Sequence, residues 1–438
     1  MKYRTLLLTL ATAASTAYAQ NSGSNSPYSH YGPGLLNDRY GATAAATAGV
    51  AQGIRGGTEV NAKNPASYSA LDSLTFIFDA GLSLQNGNLN ENGRKVNARN
   101  TSIDYVTIGF RAARNLGVSL GLLPYSTVGY SMNRTATVQT DLGDVTETDT
   151  YSGDGGLHEA YLGMGWQPFR GFSLGVNGGY LWGDLTHSVV ASFSDASASN
   201  RQRRYATEIR SYKVDFGIQY TQPIGKKNRL TLGLTYGLGH KLGGSSYFSD
   251  IVGTAGTAGA RGDTLTIRSP YGLPHTFGAG LMWQYGNRLR IGVDYSLQKW
   301  SSVQAPVVST DAAGNLTYAA VTGQFKDMSR IAIGGEYAKR PDGYTKWRDK
   351  IRYRAGVAYT TPYTRINGAD GPRSIMASVG VGLPIIIPAH SDRQIMLNLG
   401  AQYENVRPKG GGMITENYLR LCIGISFVET WFAKWKAR

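Results

Sequence analysis

From about residue 73 onward the chain alternates apolar and polar residues at period two, and that pattern narrows the possible folds to strands. Between Arg288 and Gln298, residues Leu289, Ile291, Val293, Tyr295 and Leu297 fall on one face. The other face carries Arg288, Arg290, Gly292, Asp294, Ser296 and Gln298. An amphipathic helix repeats every 3.6 residues, whereas a pleated strand sends successive side chains to opposite faces. The same split recurs in Leu230 to Gly239, in Ile351 to Tyr359 and in Tyr418 to Phe427. After the leader, no segment reaches the ~18 consecutive apolar residues that a spanning helix needs.

Fourteen such segments are predicted, near 73–86, 101–113, 116–132, 156–168, 171–194, 203–222, 228–242, 264–285, 287–300, 324–339, 350–361, 373–385, 393–405 and 416–428. Short joins, as at Ala113 to Leu116 and Tyr285 to Asn287, alternate with long polar ones at 87–100, 133–155, 243–263 and 301–323. A soluble sandwich would bury the apolar face. An even strand count, alternating joins and a polar face of Gly, Ser and paired charge instead fit a barrel with lipid outside and a polar lumen. Hydrocarbon offers no partner to a backbone N–H or C=O, so strands cross it only as a closed ring without edges. The reading is a 14-stranded antiparallel transmembrane β-barrel in the bacterial outer membrane. Tyr130, Trp166, Tyr180, Trp182, Tyr220, Trp283, Tyr285 and Trp300, near segment ends, are expected in its interfacial belts.

The ends of the chain follow other rules. Lys2 and Arg4, the apolar stretch from Leu6 to Ala14 and the small residues Ala17 and Ala19 read as a signal peptide over 1–19. Residues 20–72 have no strand period and are rich in Ala, Gly and Ser, which suits either a leader outside the wall or a plug inside it. A barrel of this width leaks if left empty, and that favours the plug. The barrel is assigned to 73–428. Residues 429–438, with Trp431, Phe432, Lys434, Trp435, Lys436 and Arg438, read as a basic aromatic periplasmic tail, and both termini are placed in the periplasm.

Asn61, Asn64, Pro65 and Ala66 stand just before the first strand, and this Asn-Pro-Ala motif resembles the hatch of FadL-type outer-membrane transporters of long-chain fatty acids and hydrocarbons. Leu273 and Pro274 before a strand, Leu289 to Trp300 and Arg330 to Gly335 resemble further segments of that family. The resemblance implies an N-terminal hatch in the lumen and uptake of hydrophobic, fatty-acid-like molecules through a lateral opening in the wall. It also implies the alternative of a non-transporting FadL-like subunit of an outer-membrane protein assembly or secretion machine. Pro124, flanked by Leu123 and Tyr125, interrupts the third strand by removing a ladder donor. It marks either a bulge or the lateral opening.

No catalytic constellation is present. The six histidines lack ligand spacing and the single cysteine excludes an intrachain disulfide, so neither an enzyme, a metal site nor a cofactor is expected. Arg290, Asp294, Arg330, Glu336, Arg352, Arg354 and Arg420 fall on lumen faces. They form either an ion-pair network gripping the hatch or a site for a solute carboxylate. The formal net charge of +15 comes without a basic cluster interleaved with stacking aromatics, which excludes nucleic acid. Arg201 to Arg204, in an outer loop by this reading, suits anionic glycolipid. The expected partners are a hydrophobic small-molecule ligand or detergent, outer-membrane lipid, and other outer-membrane proteins reached through the loops or the tail.

Overall fold

The computed structural model describes residues 24–140, 143–195, 198–253, 261–341, 346–385, 394–410 and 413–430. The signal peptide and residues 431–438 of the tail lie outside them. Among the described residues fourteen wall strands run in chain order: β1 (Thr75–Glu91), β2 (Arg94–Ala113), β3 (Leu116–Thr140), β4 (Gly143–Phe169), β5 (Phe172–Phe193), β6 (Arg201–Ile224) and β7 (Asn228–Gly237). The ring continues with β8 (Thr276–Tyr285), β9 (Leu289–Gln298), β10 (Met328–Ala338), β11 (Arg352–Thr360), β12 (Arg373–Ile385), β13 (Gln394–Arg407) and β14 (Thr415–Thr430). Each pairs antiparallel with its chain neighbours. Pairing of β1 with β14, from Thr75 opposite Thr430 to Asn90 opposite Thr415, closes the barrel.

The alternation sorts as lipid outside and polar groups within. On β9, Ile291, Val293 and Tyr295 are 42–47% exposed, while Asp294 between them is 4% exposed. In a water-soluble sandwich those values would be reversed. Closed pairing and an apolar outer face are what the bacterial outer membrane demands.

The wall is uneven in height. Strands β7 to β11 have 9–11 residues, about what a tilted crossing needs. Strands β3 to β6 have 22–27 and rise well past it. Above β7 the wall is continued by a hairpin, 244–252 with 261–268, whose first strand pairs with the upper part of β6. Much of the predicted loop at 87–100 and 133–155 is therefore strand. The outward residues there, among them Asn133, Thr135 and Thr137, are polar and exposed, so the composition imitates a loop. Asn92 and Gly93, with φ of 47° and 88°, make the tight turn between β1 and β2. Arg201 to Arg204 likewise begin β6 rather than occupying a loop.

An apolar core fills the loop end of the lumen, and two residues expected in the belts belong to it. Trp300 and Tyr130 are buried there, with Trp300 4.6 Å from the Tyr363 ring and 5.7 Å from Phe325. Trp166, Tyr180, Tyr220, Trp283 and Tyr285 are exposed on the outside.

Candidate functional site

Residues 24–72 occupy the lumen. They contain short 3-10 turns at Pro27–His30 and Pro65–Ala70, a two-residue strand at Leu35–Leu36 and one helical turn at Ala42–Ala45. Small residues let this segment's main chain lie directly on the wall, and wall glycines make the room. A β-carbon at Gly117 would overlap the Tyr68 carbonyl, one at Gly175 the Pro65 main chain, and one at Gly233 the Gln52 carbonyl. On the far side Gly334 and Gly356 approach Thr47, Gly292 approaches Val50, and Gly424 approaches Ala42. Contacts of this segment with wall glycines, through main chain or side chain, occur on β2 through β12 and on β14. The resulting glycine belt leaves no annular gap at those places.

Polar side chains then fix the segment. Asn61 donates to the Ala51 and Ile54 carbonyls at 2.7 and 3.2 Å, and Asn64 donates to Gln52 and, on β6, Ile218. Asn64 also accepts from the Ala66 N–H, capping the turn that Pro65 opens. From the wall, Asp294 accepts from the N–H groups of Ala51 and Gln52 at 2.7 and 2.9 Å, and Gln219 donates to Gln52 and Ile54. Lys63 donates to the Gly49 carbonyl, and burial holds its ammonium below the ordinary lysine range.

The charged residues separate into distinct groups. Glu336, 4% exposed, takes Arg290, Arg352 and Arg354 at 2.6–2.9 Å, and Arg290 reaches on to Glu59 of the hatch. Arg330 stands apart from this cluster and pairs with hatch Asp38 at 2.7 Å. Arg420, on β14, joins neither group and donates to Gln85 at 2.8 and 3.0 Å. Sequence reasoning missed the second buried cluster, in which hatch Arg39 bonds Glu159 of β4 and Asp215 of β6, with Lys213 beside both. Part of its signal was in the sequence: Arg39 is one of three cations in residues 20–72, and Lys213 and Asp215 sit two apart on one strand face.

Among the described residues the wall ladder ends early beside β3. Strands β2 and β3 pair from Ala113 opposite Leu116 only as far as Val106 opposite Leu122. Pro124 remains in register with His158 of β4, and the bulge that follows leaves Tyr125 without a partner across the ladder. Leu123 is buried beneath the gap. The hatch lays its own strand there, with Leu35 opposite Thr127, Leu36 opposite Ser126, and Asn37 N–H donating to the Tyr125 carbonyl at 2.9 Å. Ser29 and Asn25 extend the cover to Gly129 and Asn100. Ser26 and Tyr28 bond Glu416 and the Ile414 carbonyl, so the first described residues lie at the loop end, opposite Thr430. This departs from the expected periplasmic start of the folded segment.

Behind the gap lies a cavity of about 70 Å³, lined by Asn37, Asp38, Tyr40, Gln85, Asp104, Pro124 and Arg420 among others. An apolar cavity that holds benzene measures about 150 Å³. This one is smaller and mostly polar.

The fold is that of several solved outer-membrane channels. The *Pseudomonas putida* toluene transporter TodX aligns over 90% of this chain and 99% of its own, at 15% identity and a TM-score of 0.60. The *Ralstonia pickettii* toluene transporter TbuX aligns over 90% and 99%, at 13% identity and 0.57. A *Pseudomonas aeruginosa* FadL homologue aligns over 91% and 99%, at 12% identity and 0.59. No curated protein matches the sequence significantly. A family model named BamG matches residues 1–437. On a barrel of FadL-type architecture, with its N-terminal segment against the inner wall and a ladder that ends early beside β3, this chain belongs to the BamG family.

Proposed function

We propose that the protein is a sealed, non-transporting barrel that serves as a subunit of an outer-membrane protein assembly or secretion machine. The observation that carries this reading is the contact of the hatch with wall glycines around the ring, through its main chain on β3 to β7, β10 and β11 and through its side chains on β2, β8, β9, β12 and β14. A solute path down such a lumen requires the hatch to leave. Leaving breaks the Arg39 cluster and the Arg290 to Glu59 and Arg330 to Asp38 pairs, each buried wholly or in part. Removing one partner from a buried ion pair costs about 3–5 kcal/mol. The tall strands β3 to β6 supply what a subunit needs instead, a stiff surface standing in water. Extraction in mild detergent, with identification and quantification of co-migrating proteins, tests the reading. A stoichiometric complex is expected, and a solitary barrel would contradict it.

A second reading is uptake of hydrophobic, fatty-acid-like molecules by way of the hatch and a lateral opening at Leu123, Pro124 and Tyr125. The ended β2–β3 ladder favours it, as does the fold shared with TodX and TbuX. Uptake of a fluorescent fatty acid by cells with and without the protein separates the two.

A further inference from the structure

The gap between β2 and β3 has a part above the hatch strand that nothing among the described residues covers. The hatch satisfies the open edge of β3 stepwise: Asn37 bonds the Tyr125 carbonyl, Leu35 pairs with Thr127, and the Ser29 hydroxyl bonds both the N–H and the carbonyl of Gly129. These contacts identify the odd-numbered residues as the ones whose main-chain groups face that edge. The series continues through Ser131, Asn133, Thr135, Thr137 and Gln139, all exposed and all on a strand whose other edge is fully paired with β4. Among the described residues none bonds their edge.

The outward side chains there are Ser, Asn, Thr, Thr and Gln, so this stretch stands in water beyond the lipid. Free strand edges are usually blunted by a proline, a bulge or an inward charge. Here residues 131–139 carry no proline and remain in unbroken register with β4, and their one charge, Arg134, lies on the even, inward face opposite Asp149 of β4. Across the gap, residues 94–103 of β2 bring exposed Arg94, Lys95 and Arg99 and no acidic residue.

The geometry points to β3 residues Ser131 to Gln139 as a docking edge for an extended, acidic polypeptide segment of another protein, added as a strand antiparallel to β3. Main-chain bonds supply the affinity, and the β2 cations select carboxylate-bearing segments. The hatch strand at Leu35–Leu36 already uses this mode lower on the same edge. The inference rests on the subunit reading only in assigning the segment to a protein partner.

The test uses the full-length protein in nanodiscs and a synthetic ten-residue peptide of alternating threonine and glutamate. Amide hydrogen exchange over 131–139 should slow by about tenfold or more at saturating peptide. The T135P/T137P variant, which removes two edge donors and no wall bond, should lose that protection while retaining the heat-modifiable mobility of a folded barrel. A peptide with lysine in place of glutamate should bind at least about tenfold more weakly. Unchanged exchange in the native protein, equal protection in the proline variant, or equal binding of the lysine peptide would overturn the assignment. Self-association that the proline variant abolishes would instead make a second copy the occupant and overturn it too. A lone barrel on detergent extraction contradicts the subunit reading without touching the peptide result, so the two failures are distinguishable.

Discussion

The hatch meets the wall in two contrasting ways. On β4 to β7 and on β10 and β11 hatch main chain presses on wall glycines, and each of these strands pairs with both of its chain neighbours. Beside β3 the ladder stops at Leu122, and the hatch itself supplies two residues of strand with a small polar cavity behind them. The first arrangement is closed by shape and tolerates no added atom. The second is closed by a replaceable strand, so any event that opens this protein starts there.

Adding atoms where none fit should break the contrast most severely. The double variant G175V/G217V drives β-carbons into Pro65 and Asn64 and should expel the hatch, raising protease cleavage within residues 24–72 by at least about tenfold. Gly178 has nothing within 4 Å of its β-carbon position, so G178A should leave cleavage unchanged. Next in size is Glu336→Gln, which leaves Arg290, Arg352 and Arg354 without their common carboxylate. It should lower stability by about 3–5 kcal/mol, read as a drop in the temperature of the gel-mobility shift. Asp294→Asn keeps an acceptor but loses the charge facing two hatch N–H groups, and about 1–3 kcal/mol is expected in the same assay. Pro124→Val should do least, within about 0.5 kcal/mol. The gap is held by the Tyr125 bulge and by Leu35–Leu36, so a restored donor at 124 has no β2 strand to meet.

The wall was legible because lipid enforces period two: all fourteen segments have their strand, down to the cores of β9 and β11. Where lipid ends the signal ends. The upper parts of β3 and β4, such as Thr135 to Gln139 and Asp144 to Thr150, alternate nothing and read as loop. Period two located Arg290, Glu336, Arg352 and Arg354 on inward faces, and β9, β10 and β11 are adjacent, so they meet. Arg420 shares that inward face but lies on β14, on another part of the circumference, which period two cannot reveal. Arg39 was missed because its partners on β4 and β6 depend on how an aperiodic segment lies in the lumen.

Single-channel conductance in planar bilayers addresses the filled lumen most directly. The intact protein should conduct almost nothing, and deletion of residues 24–66 should open pores of large, stable conductance. Large steady conductance from the intact protein, or none gained on deletion, would contradict a lumen sealed by the hatch.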